Sequence, residues 1–272
     1  MISNVIPLHP NYADNTLTTF LHDEDRTLRP AVVVFPGGGY HMLAPREAEP
    51  IADFYYNNGF HAFILRYSLN ENVKGHMPAI QGGMGIQWIR EHAEELCVDP
   101  DRIFVIGFSA GGHAAASTAV YWNHPVVRDA LGITDGKTPE GINRPNGMIL
   151  SYAVLTCTEK THAGTAKRAC GKEVPTEEDI REYSIEKNVD ATTPPAFIWH
   201  TFNDAAVPVE NAILMMGAMA EQKIPFEAHI FPDGPHGLAL CNEVTWEEKP
   251  KLLNPHAAVW ADLSVKWIRD CF

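Results

Sequence analysis

The five residues Gly107-Phe108-Ser109-Ala110-Gly111 are the part of the sequence best suited to chemistry. They follow directly on residues 103–106, a short apolar and mostly β-branched run that is typical of a buried parallel strand. Residues 113–121 are small and Ala-rich, so the order strand, sharp turn, helix fits the context that a G-x-S-x-G nucleophile motif requires. Ser109 is therefore predicted to be a nucleophile at a helix N-terminus, where free N–H groups favour a developing negative charge.

A second glycine-rich turn lies earlier in the chain. Residues 30–36 read as a buried strand, and Gly37-Gly38-Gly39 follow it without a spacer. Each glycine costs backbone entropy on folding, so three in a row call for a reason beyond flexibility. A plain strand-to-helix turn is one interpretation. The position of the loop before the serine motif favours another, in which its N–H groups turn inward and bind an oxyanion.

The general base is predicted to be His236. It lies in the loop 232–237, which is rich in Gly and Pro and follows the last predicted strand, so its ring can reach the serine. His200 and His229 lie within predicted strands and are interpreted as structural. His113 lies four residues after Ser109 and points along the helix, away from the serine hydroxyl.

The acid that orients the base is predicted to be Asp204. Asn203-Asp204 follow directly on the strand 195–202, at the carboxyl edge of the sheet, where ligands bind in open α/β folds. A carboxylate there can accept the Nδ1–H of a catalytic histidine and stabilise the imidazolium. Asp233 is the competing acid, but it lies three residues from His236 on the same loop and is poorly placed to hold the ring from behind.

The elements that must position these side chains alternate between strand and helix, which predicts a mostly parallel sheet covered by helices on both faces. The predicted core strands are residues 30–36, 60–67, 103–106, 146–152, 195–202 and 226–231. The predicted helices are residues 47–58, 78–96, 113–121, 177–186, 210–222 and 255–270. Residues 1–29, with a charged patch at 22–26, are expected to form one or two antiparallel edge strands and a turn.

One stretch, residues 153–194, breaks this alternation. Residues 156–172 are mostly polar, and residues 177–186 read as a short charged helix. A connection this long in a compact domain is usually functional, so the stretch is interpreted as a cap over the site within a single domain spanning 1–272. A solvated insertion without substrate contact is the alternative.

Composition narrows the range of expected partners, substrates and cellular locations. The chain has 272 residues and a formal net charge of −13, which argues against nucleic acid or anionic membranes as partners and suits a neutral substrate. The N-terminus shows no signal-peptide pattern and no apolar run is long enough to span a membrane, so a cytoplasmic location is expected. The five cysteines are an odd number without C-x-x-C spacing, which suggests neither disulfides nor a zinc site. Oligomeric state is open, and a homo-oligomer is compatible with the sequence.

The order Ser109, Asp204, His236 is that of α/β-hydrolases. Over essentially its whole length the chain resembles the esterase branch of that family, most closely the bacterial acetylesterase and feruloyl-esterase-like (BD-FAE-like) group. The motifs that carry the resemblance are Pro36-Gly37-Gly38-Gly39-Tyr40, Gly107-Phe108-Ser109-Ala110-Gly111-Gly112, Trp199-His200-Thr201-Phe202-Asn203-Asp204 with Val207-Pro208, and Gly234-Pro235-His236-Gly237. The resemblance implies an oxyanion hole built from the backbone N–H groups of Gly38, Gly39 and Ala110. Related lipases carry histidine where this chain has Pro36, which leaves open which glycine donates.

Together these residues predict a serine carboxylesterase that works through an acyl-enzyme, without metal or organic cofactor. The resemblance implies acetyl or other short acyl esters of carbohydrates such as xylo-oligosaccharides. The same triad would serve a prolyl-oligopeptidase-like peptidase or an arylformamidase. A hydrolase-like binding protein with a dead site is the remaining class, although every member of the triad is present.

Overall fold

The computed structural model describes residues 1–23 and 26–272 of the chain. It is built around an eight-stranded sheet in the order β1-β2-β4-β3-β5-β6-β7-β8. The strands are β1 Val5–Pro7, β2 Thr16–Phe20, β3 Arg29–Phe35, β4 His61–Arg66, β5 Val98–Phe108, β6 Gly147–Ser151, β7 Ala196–Thr201 and β8 Phe226–Phe231. β1 and β2 pair antiparallel at one edge, β2 pairs antiparallel with β4, and the remaining neighbours are parallel.

Helices cover both faces of the sheet. They are α1 Glu49–Asn57, α2 Met77–Glu91, α3 Ala93–Leu96, α4 Ala110–Val120, α5 Pro125–Ala130, α6 Ala163–Cys170, α7 Glu177–Tyr183, α8 Glu210–Glu221 and α9 Pro255–Cys271. Successive side chains of a strand point to opposite faces. Val33 of β3 accordingly packs in the core that α2, α4 and α8 cover, whereas Val32 and Val34 pack in the core under α1 and α9. The predicted mostly parallel sheet with helices on both faces is confirmed.

Several predicted boundaries were wrong. The helix expected over 78–96 is interrupted at His92, whose Nδ1 donates a hydrogen bond to the Trp88 carbonyl at 2.7 Å. The helix expected from residue 47 begins at Glu49, because residues 45–47 form a 3₁₀ turn that directs Glu47 inward. The strand expected from residue 103 begins at Val98.

Two short helices were not predicted. α5 begins with Pro125 at its first turn, where proline is well tolerated. α6 is capped by His162, whose Nδ1 accepts the Thr165 N–H, and ends at Gly171 with φ +66°. A histidine cap is not the usual Ser, Thr, Asp or Asn signal. In the predicted edge region, β1 and β2 are present as antiparallel strands, whereas residues 24 and 25 of the charged patch lie outside the described residues.

The parallel strands β3, β5, β6, β7 and β8 end at the same edge of the sheet. The loops that follow β3, β5, β7 and β8 carry the predicted glycines, serine, aspartate and histidine. Because carboxyl ends of parallel strands share one edge, the sheet gathers residues that are far apart in sequence. No helix within the described ranges is long and apolar enough to cross a membrane.

Candidate active site

The backbone at Ser109 is held in a conformation that side chains rarely adopt. Its φ is +54° and its ψ is −120°, and it lies between the end of β5 and the first turn of α4. Two glycines make this turn sterically feasible. A Cβ on Gly107 would lie 2.2 Å from the Gly111 carbonyl oxygen, and one on Gly111 would lie 2.1 Å from the Phe35 oxygen. The turn can raise Ser109 above the edge of the sheet only because positions 107 and 111 are glycines.

The three predicted triad side chains are brought together in a hydrogen-bonded chain. Ser109 Oγ lies 2.8 Å from His236 Nε2, and His236 Nδ1 lies 2.7 Å from Asp204 Oδ2. An ionised carboxylate only accepts hydrogen bonds, so Nδ1 of the neutral imidazole carries the proton and Nε2 accepts from the serine hydroxyl. This is the tautomer that a general base acting on serine requires.

The Asp204 carboxylate is buried, and its surroundings favour the ionised form. Its Oδ1 accepts backbone N–H groups of Ala206 at 2.8 Å and Val207 at 2.9 Å. Burial opposes ionisation, but the contact with His236 and these two N–H groups outweigh it, so the pKa of Asp204 lies below its usual value. Asp204 therefore remains charged behind the His236 ring.

Asp233 lies outside this hydrogen-bonded chain. Its carboxylate accepts a hydrogen bond from the Asn203 side-chain Nδ2, and the Asn203 side-chain Oδ1 accepts the Gly234 N–H at 2.9 Å. These contacts fasten the histidine loop to the end of β7. Asp233 is thus placed to shape the loop, while Asp204 contacts the ring.

The other histidines considered in the sequence make structural contacts. His113 Nε2 donates to the Tyr183 carbonyl at 3.0 Å, so its Nδ1 accepts from the Tyr40 hydroxyl at 2.8 Å. His200 Nε2 donates to the Val207 carbonyl at 2.9 Å. His229 Nε2 lies 2.8 Å from Glu227 on the same strand. None of these three rings contacts Ser109 in the described structure.

The glycine loop after β3 presents free donors to the cleft. Gly38 and Gly39 have φ values of +128° and +65°, and the Gly38 carbonyl accepts the N–H groups of His41 and Met42. Throughout the described ranges, nothing accepts the backbone N–H of Gly38, Gly39 or Ala110. Gly37 differs, because its N–H donates to Glu47 Oε2 at 2.9 Å. The loop therefore leaves the N–H groups of Gly38 and Gly39, with that of Ala110, available to an oxyanion.

Glu47 is a site residue that the sequence did not reveal. Its buried carboxylate accepts the Gly37 N–H through one oxygen and the Tyr152 hydroxyl through the other at 2.8 Å. The same Tyr152 oxygen accepts the Ala239 N–H at 2.9 Å. Glu47 thereby connects the glycine loop, the end of β6 and the segment after the histidine loop. In the sequence it reads as an ordinary acidic residue at a helix start, and no local signal marks it.

The cleft beside Ser109 has a volume of about 430 Å³. One wall comes from the 153–194 insert through His162 and Arg168. Arg168 also donates to the Gly39 carbonyl at 3.3 Å and to the Gly164 carbonyl at 3.0 Å, so it links the insert to the glycine loop. Burial, together with the charge of the nearby Arg168 guanidinium, lowers the pKa of His162 and so disfavours the protonated ring.

A metal-ligating group is found elsewhere. Within the part of the chain that the structure describes, the group of histidine, cysteine and carboxylate side chains close enough to hold an ion is His76, His124 and Glu182. None of these residues lines the cleft beside Ser109. The hydrogen-bonded chain, the free N–H groups and the cleft are together able to activate a hydroxyl against a carbonyl carbon and to stabilise the resulting oxyanion.

Comparison with known proteins gives consistent similarities. Residues 17–219 match the family model described as BD-FAE. The endo-1,4-beta-xylanase B of Butyrivibrio fibrisolvens is 37% identical over 235 residues, which are 84% of this chain and 35% of that protein. The acetylxylan esterase of Xylanibacter ruminicola is 29% identical over 212 residues, which are 76% of this chain and 40% of that protein. The chain thus spans well under half the length of these curated relatives.

A solved structure extends the similarity to the whole chain. An acetyl ester-xyloside bifunctional hydrolase from Caldicellulosiruptor lactoaceticus superposes with a TM-score of 0.82 at 31% sequence identity. The match covers 98% of this chain and 96% of that one. At this coverage, the matched part of the chain includes most of the insert as well as most of the sheet and the covering helices.

Proposed function

This chain belongs to the BD-FAE family of α/β hydrolases, and we propose that it is a serine carboxylesterase that removes short acyl groups, chiefly acetyl, from carbohydrates such as xylo-oligosaccharides. The observation that carries the proposal is the hydrogen-bonded chain from Ser109 through His236 to Asp204, next to three free backbone N–H groups. Its relatives named acetylxylan esterase and acetyl ester-xyloside hydrolase support the substrate class.

The reaction follows from the geometry. Ser109 Oγ attacks the ester carbonyl carbon while its proton passes to His236 Nε2, and Asp204 stabilises the imidazolium that forms. The N–H groups of Gly38, Gly39 and Ala110 hold the tetrahedral oxyanion. Collapse releases the alcohol, which takes the proton from His236, and leaves Ser109 acylated. Water, deprotonated by the same ring, then hydrolyses the acyl-enzyme and releases the acid.

We also propose that the insert acts as a cap that shapes substrate binding in this single domain. The cleft wall formed by His162 and Arg168 supports this role. With a net charge of −13, the chain suits neutral esters better than polyanions, and we expect neither nucleic acid nor membrane as a partner. The five cysteines are free thiols, which supports a cytoplasmic location. Fractionation of cells that express the protein tests this location.

The test compares wild type with Ser109→Ala on acetylated xylo-oligosaccharides and on p-nitrophenyl acetate and butyrate. Ser117→Ala serves as the matched control, because this serine lies on the same helix and contacts His113. We expect acetate release from the sugars in wild type and the control, and its loss in Ser109→Ala. A Ser109→Ala protein as active as wild type would overturn the mechanism.

The choice of substrates in this test separates the remaining candidate functions. Turnover of the aryl esters alone keeps Ser109 as nucleophile and removes the carbohydrate assignment. Turnover of aminoacyl anilides without ester turnover indicates the peptidase that the same triad would serve. A wild-type protein inert toward every substrate indicates a binding protein.

A further inference from the structure

Three metal-ligating side chains meet at the junction between the insert and the body of the protein. His76 precedes α2, His124 follows α4, and Glu182 lies on α7 of the insert. Glu182 Oε1 lies 2.7 Å from His76 Nε2 and 3.7 Å from His124 Nε2, and the two imidazole rings are 4.5 Å apart. We propose that His76, His124 and Glu182 bind one divalent transition-metal ion, with Zn²⁺ as the best match.

The donor set and its spacing fit such an ion. Two imidazole nitrogens with one carboxylate oxygen are ligands that zinc takes in proteins. Bonds of about 2.0–2.2 Å in tetrahedral geometry separate ligand atoms by about 3.4 Å. The three ligand atoms here lie within 4.8 Å of one another, so small side-chain rotations bring them to that spacing. The half-exposed Glu182 leaves a solvent-facing side on which water completes the coordination.

Both imidazole rings present Nε2 to the same carboxylate oxygen, Glu182 Oε1. A histidine must be neutral to ligate a metal. His76 Nε2 donates its proton to Glu182 Oε1 at 2.7 Å, and a metal ion bound there would replace this proton. His124 Nδ1 is buried without a hydrogen-bond partner among the described residues. His124 Nε2 lies 3.7 Å from Glu182 Oε1, which is beyond hydrogen-bond distance and close to the separation of two ligand atoms on one ion.

The backbone around the three side chains is held independently of any ion. The Tyr121 hydroxyl donates to the Glu182 carbonyl at 2.6 Å, and His113 donates to the Tyr183 carbonyl. These contacts fix the end of α7 against α4, so Glu182 is already positioned next to the two rings. The bound ion would hold the insert, which contributes His162 and Arg168 to the cleft, against the body of the protein.

The experiment uses the full chain after treatment with a chelator. Zn²⁺ and Co²⁺ are titrated by calorimetry, and Co²⁺ is also followed by its visible absorption, which reports tetrahedral coordination. We compare wild type, His124→Gln and Glu182→Gln. His229→Ala is the control, because His229 forms a comparable histidine–glutamate pair at 2.8 Å without a second histidine. Thermal unfolding without metal establishes that each variant is folded.

We expect wild type and His229→Ala to bind one ion per chain and to gain thermal stability with added Zn²⁺. Loss of an outer-shell partner typically costs about 10–100-fold in metal affinity, so loss of a ligand in His124→Gln or Glu182→Gln should cost at least tenfold. Absence of binding by wild type would overturn the proposal. Equal affinity in these folded variants would overturn it too.

Discussion

At the scale of single residues, the role of each acid follows from which groups surround it. Asp204 and Asp233 lie on neighbouring loops, but Asp204 accepts two backbone N–H groups and the His236 ring, whereas Asp233 accepts a side-chain amide. The first arrangement stabilises an ionised carboxylate beside an imidazolium. The second stabilises the conformation of a loop. Substitution of Asp204 should therefore lower the catalytic rate, whereas substitution of Asp233 should leave most of the catalytic rate intact.

Asp204→Asn should lower kcat for p-nitrophenyl acetate by about 10³–10⁴-fold. The amide can donate to Nδ1, which favours the wrong imidazole tautomer, and it provides no charge for the imidazolium. Steady-state kinetics checks this loss. Asp233→Asn is the matched control and should keep most of the activity, since its contact is with Asn203. If the Asp233 variant lost as much activity as the Asp204 variant, the assignment of the acid would be wrong.

At the scale of elements, the serine turn depends on how closely β5, α4 and β3 approach. Gly107 contacts the first turn of α4, and Gly111 contacts the carbonyls of Phe35 and Pro36 at the end of β3. The glycines of the motif are therefore needed for the close approach of the β5, α4 and β3 backbones as well as for the local turn. The glycine loop begins at the same end of β3, which places the serine and the N–H donors side by side.

Gly111→Ala should destabilise the protein by about 1–3 kcal/mol or more and reduce activity, because its Cβ would overlap the β3 carbonyls. Gly217→Ala on α8 is the control. A Cβ there has no neighbour within 4 Å, and alanine in a helix interior should stabilise by about 0.5–1 kcal/mol. Urea unfolding measures both. An unchanged Gly111→Ala protein would contradict the close packing of the turn.

The insert should influence catalysis through Arg168. A hydrogen bond from a charged donor contributes about 1.5–3 kcal/mol, so removing its bond to the Gly39 carbonyl in Arg168→Ala should lower kcat/KM by about 10–100-fold. Kinetics on aryl and oligosaccharide esters checks the effect. Arg181→Ala is the control, since this exposed arginine belongs to the same insert and does not line the cleft. Equal effects of the two substitutions would contradict a cap role for the insert.

At the scale of the whole molecule, the face of the sheet that α2, α4 and α8 cover buries histidines in neutral form. His113 is fully enclosed between Tyr40 and the Tyr183 carbonyl, and burial lowers its pKa to about 4. Burial also lowers the pKa values of His76 and His200. A protonated ring at any of these positions would lack the hydration that it has in the unfolded chain. The molecule should therefore lose stability in mild acid.

The sign and range of this loss follow from His113. Between its ordinary pKa of 6.5 and its folded value of about 4, the unfolded state binds a proton that the folded state does not. Stability should thus fall as the pH drops through that range, by about 3 kcal/mol from this group. Thermal unfolding from about pH 7 to pH 4 measures it. His113→Gln should be less stable at pH 7 and show a weaker pH dependence, and an identical dependence would contradict the assignment.

The sequence by itself determined the alternation of strands and helices, the serine turn, and the loops that carry Asp204 and His236. These features depend on local periodicity and on residue types with special backbone properties, so they can be read without knowing the neighbours. The match to the BD-FAE family and the superposed hydrolase structure confirm the predicted family and fold. The helix interruption at His92 and the helices α5 and α6 escaped prediction, because short elements depend on single caps and contacts.

The tertiary structure alone decided which side chains meet across long distances in the chain. Glu47 contacts Gly37 and Tyr152, and His76 meets His124 and Glu182, although neither group has a spacing that would mark it in the sequence. Arg168 likewise reaches the glycine loop only because the insert folds back over the sheet edge. The physical reason is that such contacts are set by the packing of whole elements, which local residue patterns do not encode.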